Sequence, residues 1–322
     1  MDISKDLLVA AKAALLDCMA LSENESLLIV TDEPLRGIGW AFFGAGKDIC
    51  SDVSIVEITP RSGHGSEPPE AVAAAMAASD VVVMPASTSF THTSSRRAAC
   101  KAGARVATMP GILPETLLRS FNADYEKISR RTHEVSRLLS KASVARLRSP
   151  SGSDITIPIN GIEAISSTGL IREPGDFGNL PSGEAYLMPR EGASEGVVVV
   201  DGSMAGIGLL EGGETITLLV DGGFVTGIEG KQAARKLESM LEPFGRPGRN
   251  LAELGVGTNH AARVIGAILE DEKVMGTVHV AVGNNISMGG TVDVKVHLDG
   301  IIFAPTLELD GKPLLLDGEL KL

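Results

Sequence analysis

The chain has 322 residues, which is enough for two domains of ordinary size. Hydrophobic residues make up 43% of it and aromatic residues only 3%, a balance that favours tight α/β packing over an aromatic-rich binding surface. The net charge of −12 argues against nucleic acid or an anionic membrane as a partner.

The first part of the chain, residues 1–142, alternates helical patterns with short apolar runs. Short apolar strands between helices are typical of a parallel sheet covered by helices, so this part is predicted to be an α/β, Rossmann-like domain. Helices are expected at about 4–21, 35–50, 68–78, 94–102, 115–121 and 125–141, and strands at 27–30, 53–58, 81–84 and 104–108.

The second part, residues 143–322, is dominated by alternating runs and turn signals. Asp-Gly pairs, including Asp299-Gly300, predict tight turns between strands. Helices are expected at 231–241 and 260–269. This part is therefore predicted to be an α+β domain with a mixed or antiparallel sheet that carries a metal site. Alternating strands are expected at 154–159, 196–200, 215–220, 277–282 and 291–298.

Possible metal ligands lie on these strands. In V-D-V-K-V-H-L-D-G the residues alternate, which places His297 and Asp299 on one strand face, within reach of one ion. His279 lies in another alternating strand, and Glu253 is a carboxylate in a mostly apolar stretch. Glu184 lies in the Gly-containing motif P-S-G-E-A-Y. Two imidazoles and three carboxylates suit one or two divalent ions of the Zn, Co, Mn or Fe type. The alternative is that each is an ordinary hydrogen-bonded or surface residue.

Several motifs in residues 180–318 resemble the M29 family of metallo-aminopeptidases, the aminopeptidase T and aminopeptidase S group of leucyl aminopeptidase-like enzymes. The motifs are P-S-G-E, A-E-L-G-V-G-T-N, L-E-D-E-K-V-M-G-T-V-H-V-A-V-G-N-N, H-L-D-G and L-D-G-K. The resemblance implies a homodimer, a short peptide substrate and a two-metal site. It assigns the ligand positions to Glu184, Glu253, His279, His297 and Asp299.

One departure from the family pattern concerns an active-site tyrosine. The peptidases have a Gly-x-Ala-Tyr-like segment where this chain has Gly283-Asn284-Asn285. Tyr186 follows Glu184 by two residues and is expected to share its strand face, so it is the candidate replacement.

The leading functional prediction is a metallo-aminopeptidase, a hydrolase using Zn, Co or Mn. In this mechanism a metal-bound water attacks the peptide carbonyl, with Glu184 or Glu253 as the proton carrier and Tyr186 in the catalytic set. Two alternatives remain open. His279, His297 and Asp299 form the 2-His-1-carboxylate set of non-haem Fe(II) oxygenases, and the same fold family is similar to a dihydroxypyridine ring-cleaving dioxygenase. The second alternative is a protein that binds metal but does not catalyse a reaction.

The three cysteines, Cys18, Cys50 and Cys100, are far apart and odd in number, which favours reduced thiols and a cytoplasmic location. No basic and apolar leader pattern opens the sequence and no run is long enough to span a membrane.

Three further motifs have competing interpretations. Thr91-His92-Thr93 with Arg96 either lines a cleft or caps a helix whose arginines are on the surface, and the second is favoured. The acidic run Glu270-Asp271-Glu272 is interpreted as a solvated helix end, with Glu272 a candidate for orienting a ligand. His260, near Glu253, either supports a metal ligand or is a polar residue at the start of a helix.

Overall fold

The computed structural model describes residues 4–322. The chain forms two compact units that each take in two separate stretches of sequence. The first contains residues up to Lys127 together with Gly169–Ser182, and the second contains Ile128–Thr168 together with Gly183–Leu322. The sequence suggested instead a single division near residue 142.

The first unit is built on a five-stranded parallel sheet in the order β2-β1-β3-β4-β8. Every residue of β3 and β4 is buried, as expected for strands covered on both faces. Its strands are β1 (Ser26–Asp32), β2 (Asp52–Ile58), β3 (Val81–Met84), β4 (Arg105–Thr108) and β8 (Phe177–Asn179). Its helices are α1 (Lys5–Ala13), continued by a π-helical turn at Ala14–Cys18, α2 (Arg36–Lys47), α3 (Glu70–Ala77), α4 (Ser94–Ala102) and α5 (Pro114–Ser120).

Helix α6 (Tyr125–Lys141) leads into the second unit, which contains two antiparallel sheets. The larger sheet has the order β14-β13-β10-β6-β5-β18-β19-β20. Its strands are β5 (Val144–Arg148), β6 (Asp154–Pro158), β10 (Glu195–Val200), β13 (Ile216–Asp221), β14 (Phe224–Gly230), β18 (Thr306–Leu309), β19 (Lys312–Leu316) and β20 (Glu319–Leu320).

The smaller sheet of this unit has the order β12-β11-β17-β16-β15-β9-β7 and carries the candidate site. Its strands are β7 (Ile165–Ser167), β9 (Glu184–Leu187), β11 (Ser203–Met204), β12 (Gly208–Leu209), β15 (Leu251–Gly257), β16 (Val278–Gly283) and β17 (His297–Ile302). The remaining helices are α7 (Gln232–Leu241), α8 (Gly245–Gly248) and α9 (Ile268–Asp271). The predicted fold class, a parallel α/β domain followed by a domain of antiparallel sheets, is confirmed.

The core of the second unit explains why one face of the smaller sheet is free for polar groups. Leu254, Val280, Val282 and Ile302 pack into a large apolar cluster with residues of the larger sheet such as Leu218. The strands alternate, so this burial turns the intervening residues toward the opposite face.

The predicted helix over 260–269 is wrong. Only Ile268–Asp271 is helical, and His260 lies in a turn. Side-chain carboxylates take the backbone amides that a helix would use, because Ile265 and Gly266 donate to Asp271. Gly266 also has φ +86°, which no right-handed helix permits.

The strand predicted over 291–298 begins only at His297, and Asp299-Gly300 lies inside β17 rather than in a turn. Residues 291–296 form no strand, although their exposure still alternates. The Asp-Gly pairs at 310 and 317 do connect antiparallel strands, with φ values of +49° at both aspartates. In residues 4–322, no helix combines the length and apolar character needed to cross a membrane.

Candidate metal centre

The site is built on four neighbouring strands of the smaller sheet. Glu184 lies on β9, Glu253 on β15, His279 on β16, and His297 with Asp299 on β17. The antiparallel register places Glu253 beside Ala281, and Ala281 beside Asp299. These residues therefore form one row across three strands, in which the small side chain of Ala281 leaves space between the two carboxylates.

Glu253, His297 and Asp299 form the tightest group of potential ligands. One donor atom from each lies within 4.8 Å of the other two. His297 Nε2 is 3.4 Å from Glu253 Oε2 and 3.5 Å from Asp299 Oδ1. Glu253 and Asp299 are each only 7% exposed, whereas the His297 side chain is 33% exposed. Asp299 Oδ1 is buried and has no hydrogen-bond partner within residues 4–322.

The orientation of the His297 ring is set by Asn284. This residue lies in the segment 283–285, where the aminopeptidase pattern has a tyrosine. His297 Nδ1 lies 2.8 Å from the carbonyl oxygen of Asn284, an acceptor only, so Nδ1 carries the proton. The other ring nitrogen, Nε2, is thereby directed at the two carboxylates. A metal-binding histidine is held in this way when its second nitrogen donates to a carbonyl.

Asn284 and Asn285 also fix the loop that leads into β17. Asn284 Nδ2 donates to the carbonyl of Val294 at 3.0 Å. Asn285 Oδ1 accepts from the amide of Val292 at 2.9 Å, and its Nδ2 donates to Glu191 at 2.8 Å. The pair that departs from the peptidase pattern thus supports the position of His297.

His279 is fully buried, and Gly255 makes room for it. The two residues are opposite each other in the register of β15 and β16, and a Cβ at position 255 would lie 1.9 Å from His279 Nε2. That nitrogen is 3.3 Å from Glu253 Oε1 and 3.4 Å from Glu184 Oε2. His279 therefore lies between the two glutamates, beside the group formed by Glu253, His297 and Asp299.

Glu184 is bound by a buried lysine. Lys273 is 0% exposed, and its Nζ lies 2.5 Å from Glu184 Oε1 while also donating to Glu272. A buried ammonium is stable only when such partners replace its hydration. Glu184 thus has a cation on one oxygen and His279 near the other.

Electrostatic interactions shift the pKa values of the histidines and their partners. Burial, the largest influence, lowers the pKa of His279, but its hydrogen bond to Glu253 and the negative charge of Glu184 outweigh burial and raise the pKa to about 9. Burial is also the largest influence on His297 and lowers its pKa. Asp299 and Glu253 together outweigh burial and raise this pKa well above 6.5. Burial raises the pKa of Glu253, yet its hydrogen bonds to both histidines lower it to about 2.

Four further groups near the site, Glu184, Tyr186, Glu272 and Lys273, have raised pKa values. Burial raises the pKa of Glu184 despite Lys273, and burial brings the pKa of Glu272 to about 8. Lys273 has a pKa above its usual value, because Glu184 and Glu272 outweigh its burial. Tyr186, on the same strand face as Glu184, has a raised pKa through burial and the nearby glutamates. Its phenol therefore stays protonated at neutral pH.

The sequence did not identify Lys273. The acidic run before it was interpreted as solvated, but Glu270 and Asp271 are fully buried and only Glu272 keeps slight exposure. One signal was present: three acids at the C-terminal end of a predicted helix face the negative end of the helix dipole, which argues against a solvated helix ending at these residues.

The motif around His92 lies in the first unit, far from these strands in sequence. Thr93 caps α4 by accepting from the amide of Arg96, as the favoured interpretation predicted. Arg96, however, is not on the surface. It is 7% exposed, donates from Nε to the carbonyl of Thr91 at 2.8 Å, and lies 3.7 Å from the ring centre of Phe177.

The donor atoms fit a divalent cation. Two buried carboxylates and an imidazole converge, and the Asn284 carbonyl sets the imidazole tautomer. Among residues 4–322, one carboxylate oxygen of the group, Asp299 Oδ1, has no hydrogen-bond partner. Fold and site together describe a two-unit protein with a candidate metal centre on an antiparallel sheet.

Comparison with known proteins identifies the family. Residues 15–322 match the family model described as NicX: 2,5-dihydroxypyridine 5,6-dioxygenase, and the chain belongs to this family. A 2,5-dihydroxypyridine 5,6-dioxygenase of Pseudomonas putida is 29% identical over 241 residues, covering 71% of this chain and 67% of that protein.

Two solved structures share the fold. The 2,5-dihydroxypyridine dioxygenase of Pseudomonas putida KT2440 superposes with a TM-score of 0.85 at 23% identity, covering 99% of this chain and 98% of the other. AmpT of Thermus thermophilus superposes with a TM-score of 0.74 at 17% identity, covering 99% of each chain.

These comparisons correct the leading functional prediction. The resemblance to the aminopeptidases holds for the fold, but the family is that of a dioxygenase, so the predictions of a hydrolase, of proteolysis and of a short peptide substrate are wrong. The motifs that resemble the aminopeptidases occur here in a chain of the dioxygenase family, so they do not by themselves separate the two functions. The predicted homodimer has no support from these relatives.

Proposed function

We propose that this chain is a metal-dependent dioxygenase that cleaves the ring of a dihydroxypyridine, with 2,5-dihydroxypyridine as the first substrate to test. The family match and the curated relative support the reaction class. The observation on which the proposal depends is the convergence of Glu253, His297 and Asp299 within 4.8 Å, a donor set able to hold one divalent ion.

In this proposal Glu253, His297 and Asp299 hold the metal, and iron is the ion that suits the reaction. Bound Fe(II) would supply the one-electron chemistry that allows dioxygen to react with an aromatic ring. The 2-His-1-carboxylate set expected from the sequence included His279 in place of Glu253. We favour Glu253, because its donor atom lies within 4.8 Å of donor atoms of both His297 and Asp299, a group that does not include His279.

The proposed ligands and the residues around them would bind and position the ion rather than transfer protons. Glu253, with its pKa near 2, stays ionised at neutral pH and is suited to be a ligand. Asn284 holds the His297 tautomer through its carbonyl. Tyr186 stays protonated, so it can donate a hydrogen bond but cannot act as a base near neutrality.

Oxygen uptake by the iron-loaded protein tests the proposal. Protein reconstituted anaerobically with Fe(II) should consume dioxygen on addition of 2,5-dihydroxypyridine, with loss of the substrate's ring absorbance. Asp299→Asn should abolish both signals, while Asp48→Asn, a change at an exposed aspartate of the first unit, should not.

Two outcomes would contradict the dioxygenase proposal. Stoichiometric iron binding without oxygen uptake, on a panel of dihydroxypyridines and other aromatic diols, would favour a metal-binding protein without catalysis. Absence of metal binding by the intact chain would remove the metal centre itself.

A further inference from the structure

Lys273 stands out among the buried charges because it adds a cation next to a proposed cation site. It is 0% exposed, and Nζ contacts carboxylates on two different segments, Glu184 of β9 and Glu272 after α9. The ammonium thus bridges two carboxylates, as a divalent ion in a carboxylate-rich site does.

The position of this ammonium relative to the proposed ion is informative. Glu184, bound to Lys273, approaches His279 through its other oxygen, and His279 in turn contacts Glu253. Glu253 is a member of the group that converges within 4.8 Å. The chain of contacts therefore runs from Lys273 to the proposed metal ligands through two residues that the sequence motifs had assigned to a two-ion site.

We infer that the Lys273 ammonium takes the place of a second metal ion and keeps the centre mononuclear. This inference rests on the proposed metal centre and adds to it the number of ions. Lys273 binds the carboxylate oxygen of Glu184 that a second ion would need. Its ammonium also supplies the positive charge that balances Glu184 and Glu272. Glu184 and His279 lie outside the group that converges within 4.8 Å and contact it through Glu253, so we assign them as positioning residues.

Replacing Lys273 should open a latent second site. Lys273→Met keeps a long unbranched side chain but removes the charge, which leaves Glu184 and Glu272 buried without their cation. These two carboxylates, with His279 3.4 Å from the second oxygen of Glu184, are then a donor set suited to a divalent ion. Lys273→Arg retains the charge and should keep the site closed, and Lys236→Met is a control at an exposed lysine on α7.

Metal stoichiometry, measured without reference to activity, tests this inference. Metal-free protein is titrated with Co²⁺ and the bound ions per chain are counted by elemental analysis after gel filtration. Wild type, Lys273→Arg and Lys236→Met should each bind one ion, whereas Lys273→Met should bind two, with the magnetic coupling of neighbouring Co²⁺ ions visible in its EPR spectrum.

A second variant keeps the inference testable if Lys273→Met does not fold. Glu184→Gln should still bind one ion, with affinity lowered by no more than the ~10–100-fold typical of residues that orient a ligand. Glu253→Gln should lose stoichiometric binding.

Each alternative result is distinct. Two ions in wild type, loss of the single ion in Glu184→Gln, or one ion in folded Lys273→Met would overturn the role of Lys273 while leaving the dioxygenase proposal intact. No ion in wild type would instead overturn the metal centre.

Discussion

The imidazole of His279 occupies the space that a side chain at Gly255 would need, since a Cβ there would lie 1.9 Å from Nε2. The two residues are direct neighbours on β15 and β16. Because His279 is fully buried, its ring cannot move aside into solvent. The glycine is therefore as much a part of the site as the residues with functional groups.

We expect Gly255→Ala to displace His279 and loosen the site. Overpacking a buried position costs about 1–3 kcal/mol in the free energy of unfolding, and the shift should also weaken metal binding through Glu253. Thermal unfolding and a Co²⁺ titration measure the two effects. Gly37→Ala is the matched control, because a Cβ there would have no atom of the described residues 4–322 within 4 Å. Equal metal affinity of Gly255→Ala and wild type would contradict the packing argument.

Glu253→Gln, His297→Ala and Asp299→Asn should each abolish stoichiometric metal binding while the fold remains. Their side chains lie on the sheet face opposite the apolar cluster, so the packing of Leu254 and Val280 is unaffected. Elemental analysis and circular dichroism are the measurements. His133→Ala, at an exposed position on α6, provides the control for loss of a histidine. Retention of a full equivalent of metal by any one variant would exclude that residue as a ligand.

Metal affinity should rise as the pH increases above 6.5. The folded-state pKa of His297 is raised, so in metal-free protein the imidazole holds a proton that the metal must displace from Nε2. One proton released per ion gives an affinity that increases ~10-fold per pH unit until His297 is neutral. Calorimetric titrations in buffers of different ionisation enthalpy count the protons. Release of no proton at pH 7 would be incompatible with His297 as a ligand.

The stability of the metal-free protein should fall over a similar pH range. The pKa of His279 is raised from 6.5 to about 9, so its stabilising contribution is complete below pH 6.5 and is lost as the pH rises through 9. The Tm of metal-free wild type should therefore decrease between these values. His279→Gln should show a smaller decrease, and an identical pH profile in the variant would assign the effect to other groups.

Asn285→Ala should weaken metal binding although Asn285 does not contact the proposed ion. Its side chain ties Val292 and Glu191 together and so holds the loop that delivers His297. Residues that orient a ligand typically affect metal affinity ~10–100-fold. The dissociation constant for Co²⁺ measures this effect. Ser239→Ala, on the exposed face of α7, is a control, and unchanged affinity in Asn285→Ala would show that the loop is held by other contacts.

Much of the candidate site follows from the periodicity of the sequence. His297 and Asp299 share a face because they are two apart on a strand, and the helices α4 and α6 have the bounds that the pattern predicted. The helix expected over 260–269 failed because Asp271 binds the backbone amides of residues 265 and 266, a side-chain contact that helical periodicity does not describe.

By itself, the sequence determined the fold class and the residues that converge on one sheet face, since alternation and local propensity depend on neighbours along the chain. Only the tertiary structure decided that Lys273 binds Glu184, 89 residues away, and that Glu253 rather than His279 completes the tightest donor group. These facts depend on strand register and on burial, which bring residues distant in sequence into contact and leave a charged group without water. The charge of Lys273 is visible in the sequence, but its role comes from the carboxylates around it.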